Sequence, residues 1–181
     1  MGVEAKQVKL LLVGPDCSGK SLLSSRLGLH YSLEIFRNRR IDRPLPALQS
    51  VVDFAMDWFA DEEGFILDQW QFPVDIIYNH TLRDQSSVFE ALAPYLKEEM
   101  DDNKVLIIHL TADDRTLRSR FDRRGDELWN IKQILEVAKA YKPWLQKLNL
   151  THTTIDTSEL TPEEVFQTAL ARIEKFYGGG K

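Results

Sequence analysis

Val8-Lys9-Leu10-Leu11-Leu12-Val13-Gly14-Pro15-Asp16-Cys17-Ser18-Gly19-Lys20-Ser21 decides the reading of this chain. Val8 to Val13 is a short apolar run that reads as a buried strand. Gly14 to Ser21 fits G-x-x-x-x-G-K-[ST] at every fixed position, and Leu22 to Leu27 continues as a helix. Strand, glycine loop, lysine and helix in that order describe a phosphate site. A loop that wraps a polyphosphate must turn its backbone N–H groups inward, and Gly14 and Gly19 permit the dihedrals this needs. The helix that follows offers unpaired N–H groups and a dipole that favours an anion. Lys20 brings positive charge to the β- and γ-phosphates, and the Ser21 hydroxyl is placed to ligate magnesium. Asp16, Cys17 and Ser18 complete the phosphate-binding loop. The plain alternative is a glycine turn that only caps a helix, with four fixed positions and both flanks matching by accident.

The chain has 181 residues, enough for one domain with a substantial core. Hydrophobic residues make up 43% and charged residues 28%, as in an ordinary globular protein. A net charge of −5 argues against broad binding to nucleic acid and leaves a local basic patch open. No apolar run approaches a membrane span, and residues 1–7 lack the apolar core of a secretory signal. One cysteine excludes an intrachain disulfide, which fits a reducing cytoplasm. Cys17 is either a small filler inside the loop or a thiol activated by the helix N-terminus.

Downstream, apolar runs alternate with helical patterns. Tyr31 to Arg37 reads as a second strand and Asn38 to Pro44 as a polar loop. Arg37, Arg39, Arg40 and Arg43 form either a solvated basic stretch or a grip on a substrate phosphate. Ala47 to Ala60 has one apolar helical stripe, with Phe54 and Trp58 on another face. Gly64 to Asp68 is a third strand ending in an acid. Strand ends meet the ligand in a parallel sheet, so Asp68 either serves a magnesium shell or starts the next turn. Gln69 to Thr81 is an aromatic-rich connection, with Trp70, Phe72, Tyr78 and His80 walling a flat ring or filling the core.

Asp84 to Met100 reads as a helix with Val88, Leu92, Tyr95 and Leu96 on one face. Lys104 to Leu110 is a fourth strand, nearly all apolar as a doubly covered sheet demands, with His109 as a core histidine. Thr111 is placed as the N-cap of a helix bearing Arg115, Arg118, Arg120, Arg123 and Arg124, which breaks at Gly125. Those arginines form a solvated face or a lid. Asn130 to Leu148 is a long helix, and His152 to Asp156 a fifth strand. Thr161-Pro162-Glu163-Glu164 gives an N-cap, an N1 proline and a capping box to a last helix ending near Tyr177. Gly178 to Lys181 is a flexible tail. The fold class is α/β, a P-loop NTPase sandwich of three layers, α/β/α, with a five-stranded parallel sheet and a helical lid. Residues 1–181 form a single domain, with 118–130 as the lid.

No Asn-Lys-x-Asp guanine motif is present, which disfavours a GTPase switch. An arginine-dense helix followed by Gly125-Asp126-Glu127 suits a lid that neutralises a migrating phosphoryl group and excludes water. The chain resembles the thymidylate kinase and deoxynucleoside kinase group of P-loop kinases. The loop carries an acid two residues after its first glycine, as thymidylate kinases do. Phe54-Ala55-Met56-Asp57 is similar to the family's Phe-Ala-Ala-Asp segment, Asp68-Gln69-Trp70 to its Asp-Arg-Tyr, and Arg118 to Glu127 to its lid. Tyr141 matches a tyrosine beyond the lid, and Ile155 to Val165 the C-terminal strand, adenine-side loop and helix.

The resemblance implies phosphoryl transfer from ATP, with magnesium, to a deoxynucleoside monophosphate, most fittingly a pyrimidine. Lys20, Arg120, Arg123, Arg124 and Asp68 would be catalytic, and Ser21 and Asp68 would hold the metal. Asp16, Phe54, Gln69, Tyr78 and Arg37 would bind the acceptor. Two departures stand out. Gln69 replaces the arginine that grips the acceptor phosphate, and glutamine offers no charge-assisted clamp. Trp58 replaces an arginine associated with base recognition. Three other readings therefore stay open: a deoxynucleoside kinase with Glu34 as base, a kinase for a modified nucleotide or base, and a non-catalytic nucleotide-binding module. Phe54, Trp58 and Trp70 suit either a pocket or a homodimer interface.

Overall fold

The computed structural model describes residues 8–37, 63–124 and 129–178. The expected helix with Phe54 and Trp58, the arginines Arg39, Arg40 and Arg43, the lid residues Gly125, Asp126 and Glu127, and residues 179–181 lie outside the described residues. In chain order the elements are β1 (Lys9–Val13), α1 (Lys20–Tyr31), β2 (Ile35–Arg37), β3 (Phe65–Asp68), α2 (Gln71–Tyr78), α3 (Phe89–Asp102), β4 (Leu106–Thr111), α4 (Asp114–Arg124), α5 (Ile131–Lys147), β5 (His152–Asp156) and α6 (Pro162–Gly178). A π-helical turn, Asn79–Arg83, continues α2. No helix among the described residues is long and apolar enough to cross a membrane.

The five strands form one parallel sheet in the order β2-β3-β1-β4-β5. Strand periodicity explains its two cores. Leu11 and Val13 of β1, with Phe65, Leu67 and Ile107, face a layer built from α2, α3 and α5, including Phe72, Ile76, Phe89, Leu96, Tyr141 and Leu145. Leu10 and Leu12, with Ile66, Leu106, Ile108 and Ile155, face α1 and α6 through Leu23, Leu27, Val165, Ala169 and Ile173. Helices thus cover both sides of the sheet. The chain leaves β1 towards one edge and returns to β4 on its other side, so the C-terminal end of β1 is where connections diverge and a crevice opens. The phosphate loop lies there.

The N-cap expected at Thr161 is present, and a second capping box, not anticipated from the sequence, stands at Asn130. Thr161 accepts from the Glu164 amide at 3.3 Å while its own amide donates to the Glu164 carboxylate at 2.8 Å. Asn130 and Gln133 exchange the same pair of bonds at the start of α5. Tyr177 closes the other end of α6, its hydroxyl accepting from the Lys9 amide at 2.9 Å and lying 2.7 Å from the Lys9 carbonyl.

Four expectations are corrected. Tyr31 ends α1 rather than opening β2, because Ser32 turns left-handed at φ 55° and the Leu33 amide closes onto Gly28. Gln69 to Thr81 is mostly helical, with α2 burying Phe72, Pro73, Ile76 and Ile77. In α3 the core face is Phe89, Ala93, Leu96 and Met100, leaving Val88 and Tyr95 exposed, a phase error of one residue. Asp113, not Thr111, caps α4: its carboxylate accepts from the Thr116 amide at 2.6 Å, and that bond holds it below the usual carboxylate range. Thr111 is the last residue of β4.

Replacing Asn130 by Ala removes one side of the α5 capping box. The expected cost is about 1 kcal/mol of unfolding free energy, measured by urea denaturation, and Asn130→Asp recovers most of it.

Candidate functional site

The loop from Gly14 to Gly19 leaves β1 under tight steric control. Gly14 has φ 145°, and a Cβ there would lie 2.2 Å from the Leu110 carbonyl oxygen of β4. Only glycine lets the loop start this close to the neighbouring strand. Cys17 adopts φ 65° and Gly19 φ 98°. Gly19 is the N-cap of α1 and receives no side-chain cap, so the first N–H groups of the helix remain directed at the loop's interior. The Ser18 hydroxyl is buried with no hydrogen-bond partner among the described residues. The side chain of Cys17 packs with Ala112, Leu117 and Leu135.

Lys20 is 6% exposed and its ammonium donates to the Pro15 carbonyl at 2.7 Å, bridging the loop. Burial lowers its pKa most, Asp16 and Asp68 oppose this, and Arg124 adds to the lowering. A buried cation with incomplete compensation is a strong attractor for a polyphosphate. Arg123 is exposed, its Nε donating to Ser119 of its own helix at 3.2 Å.

Arg120 reaches elsewhere. Its Nη1 donates to the Thr157 hydroxyl at 2.8 Å and to the Cys17 carbonyl at 3.3 Å, and its Nη2 donates to the Thr157 carbonyl at 2.7 Å. It lines a cavity of about 250 Å³ with Cys17, Ser18 and Gly19 on the loop side and Leu160, Pro162 and Val165 on the far side. Leu22, Leu23, Arg26 and Thr157 complete the lining among the described residues. Sequence reasoning did not single out Thr157, Leu160 or Arg26 as site residues. For Thr157 and Leu160 the signal was their place in the C-terminal segment that resembles an adenine-side loop; for Arg26, on α1, there was none.

On the opposite side of the loop, Asp16, Tyr141 and Tyr78 come together. The Tyr141 hydroxyl is fully buried and makes no hydrogen bond of good geometry among the described residues. Burial first, then the charge of Asp16, raises its pKa, while the Gly14 amide and Tyr78 act the other way. Gln69 has φ 62°, and its side-chain amide donates to the Gly14 carbonyl at 3.4 Å. Gln69 therefore braces the loop.

Asp68 is 6% exposed at the C-terminal end of β3. Its Oδ2 accepts from the Ser24 hydroxyl at 3.1 Å and lies 3.5 Å from Nε of Arg37, whose Nη2 donates to the Ser25 hydroxyl at 2.9 Å. No group of three or more His, Cys, Asp or Glu that could cage a metal occurs among the described residues. Magnesium at phosphate sites takes one or two protein oxygens and fills the rest with phosphates and water. Ser21 lies on the first turn of α1, and the Asp68 carboxylate meets that helix one turn further on, at Ser24.

His109 stacks on Tyr141 with ring centroids 5.3 Å apart, and its Nδ1 lies 3.3 Å from the Thr154 hydroxyl. Burial, followed by His152, Lys20 and Lys142, lowers its pKa from 6.5 to about 4. The folded value lies below the unfolded one, so the unfolded chain protonates first as pH falls. The stability His109 contributes is present above about pH 6.5 and is lost towards about pH 4. His109→Phe, which keeps a ring against Tyr141, should lose ~2 kcal/mol less stability than the wild type on going from about pH 7 to about pH 4.5, measured by urea denaturation at each pH.

No protein-family model matches the chain. It is 21% identical over 165 residues to the SPbeta prophage-derived uncharacterized protein YorR of Bacillus subtilis (strain 168), covering 91% of this chain and 98% of that protein. The crystal structure of YorR in complex with phosphorylated GDP superposes with a TM-score of 0.76 at 20% identity, covering 93% and 96% of the two chains. Deoxyadenosine kinase from M. mycoides with bound dATP gives 0.64 at 17% identity, covering 92% and 100%. Thymidylate kinase from Candida albicans gives 0.63 at 18%, covering 93% and 91%. At these identities the likeness is one of fold: the chain has the three-layer α/β/α fold shared by P-loop kinases.

Proposed function

We propose that this chain is a magnesium- and ATP-dependent kinase acting on a deoxynucleoside monophosphate, thymidylate kinase-like and suited to a pyrimidine, working in the cytoplasm. The nucleotides carried by YorR and by the deoxyadenosine kinase are in keeping with a nucleotide site on this fold. The cavity beside Arg120 would take the donor base, the loop its phosphates, and the side with Asp16, Tyr78 and Tyr141 the acceptor. Magnesium, held by Ser21 and Asp68, would neutralise phosphate charge.

The observation that carries the acceptor assignment is Arg37. It is the last residue of β2, in register with Asp68, so its cation stands at the strand ends where the acceptor's reacting group would arrive. A nucleoside's 5′-hydroxyl needs a base, whereas a monophosphate oxygen is already anionic near neutral pH. Glu34, the candidate base for a nucleoside kinase, precedes β2 and lies at the opposite end of that strand, its carbonyl accepting from Ile66 at 3.1 Å. A cation at the near end suits a phosphate and offsets the missing arginine at Gln69.

In the reaction, an oxygen of the acceptor phosphate attacks the γ-phosphorus and the bond to the β,γ-bridging oxygen breaks, leaving ADP. Lys20 and the N–H groups of the loop stabilise the charge on the migrating group, and Arg124 approaches it from α4. Asp16 orients the acceptor sugar, with Tyr78 and Phe54 near its base.

A coupled ADP-release assay across nucleosides, monophosphates, modified nucleotides and DNA tests the assignment. Turnover should be largest with a pyrimidine deoxynucleoside monophosphate; turnover on nucleosides alone would overturn it, and ATP binding without turnover on any acceptor would favour a non-catalytic module. Lys20→Ala should lower kcat by about 10²–10³ while the circular dichroism spectrum is unchanged. Arg37→Ala should raise KM for the monophosphate about tenfold and leave KM for ATP in place, read from initial rates with each substrate varied.

A further inference from the structure

The Thr157 side chain sits where three parts of the chain meet. It is 2% exposed, directly after β5. Its hydroxyl oxygen lies 3.0 Å from the Thr111 carbonyl at the end of β4 and 3.2 Å from the Ser18 carbonyl in the phosphate loop. The same oxygen accepts from Nη1 of Arg120 on α4 at 2.8 Å. A threonine hydroxyl has one proton and two lone pairs, so it can accept from Arg120 and donate to one carbonyl at a time. Its backbone is held separately, the Thr157 amide donating to Thr111 at 2.8 Å and its carbonyl accepting from Nη2 of Arg120 at 2.7 Å. Arg120 therefore grips Thr157 with two prongs and touches the loop at Cys17 with the first.

Burial, then Arg123, pulls the Arg120 pKa below its ordinary value. A guanidinium in such a place needs acceptors to keep one orientation. Remove the hydroxyl and, among the bonds described, Nη1 retains the long contact to Cys17, the Ser18 carbonyl loses the donor it shares with Thr111, and the Thr111 carbonyl keeps the Thr157 amide. The guanidinium plane and the loop backbone then lose their common reference, and both line the cavity.

We propose that Thr157 is a positioning residue for the nucleotide donor: through its hydroxyl it fixes Arg120 and the Ser18 segment of the phosphate loop against the cavity of about 250 Å³. This rests on the reading that the cavity takes the donor base. Thr157 contacts none of Asp16, Tyr78, Tyr141 or Arg37 through the bonds described, so its effect belongs to the donor alone.

The test compares wild type, Thr157→Val, Thr157→Ser, Arg120→Ala and the Thr157→Val/Arg120→Ala double variant. ATP affinity is read by calorimetry without acceptor, and KM by steady-state kinetics with each substrate varied. Thr157→Val should weaken ATP about tenfold in Kd and KM and leave the acceptor KM within about twofold. Thr157→Ser, which restores the hydroxyl, should behave as wild type. The double variant should be no weaker for ATP than Arg120→Ala by more than about twofold, because the two side chains act as one unit. Should Thr157→Val fail to fold, Arg120→Lys, which keeps the charge and loses the second prong, should show the same donor-only loss. Unchanged ATP affinity in Thr157→Val, a parallel rise of both KM values, or a serine variant as weak as the valine one would overturn the proposal. Failure of the wild type itself to bind ATP would overturn the donor-site reading instead.

Discussion

The contact between Gly14 and the Leu110 carbonyl governs the geometry of everything above the sheet. β1 and β4 are neighbours, and the loop must leave β1 across the backbone of β4 with no room for a side chain. That exit sets the course of the next five residues, including the left-handed turn at Cys17, and delivers Gly19 as a bare cap to α1. Lys20 is then obliged to run under the loop, where it is buried against the Pro15 carbonyl. Such a lysine destabilises the folded chain by itself and gains when an anion arrives. The site is thus a local cost carried by a sheet packed on both faces.

The loop divides the crevice into two unlike halves. On one side lie an apolar cavity, a two-pronged arginine and the segment after β5. On the other lie a buried tyrosine hydroxyl, an aspartate and a second tyrosine, with a cation at the end of β2. Gln69 belongs to neither half. Its amide braces the Gly14 carbonyl, and the cation at the end of β2 is Arg37, paired with Asp68.

Much of this is legible in the sequence. Four fixed positions in Gly14 to Ser21 define a backbone shape as well as a composition, so the strand, loop and helix followed together. The capping box at Thr161 was similarly local, since it is closed by a partner three residues away. Where reading failed, the deciding partner was distant or the phase ambiguous. Val88 and Phe89 are both apolar and adjacent, and only packing against the sheet chooses Phe89. Tyr31 is as good a strand residue as a helix residue until Ser32 turns the chain. Thr111 and Asp113 are both credible caps, but the Thr111 carbonyl is engaged by Thr157, 46 residues away. Thr157 was illegible as a site residue for the same reason: a threonine after a strand looks like the beginning of any turn.

The staple between Tyr177 and Lys9 has a consequence for how the molecule comes into being. β1, which carries the phosphate loop, is synthesised well before α6, yet Leu10 and Leu12 are covered in part by α6. During translation the central strand must wait, with one apolar face incompletely sheltered, until α6 emerges. Contacts of such long sequence separation fold late and slowly. The loop at the head of β1 is therefore completed only once α6 has docked, and an anion in the surroundings can assist only after that step, by trapping the finished loop.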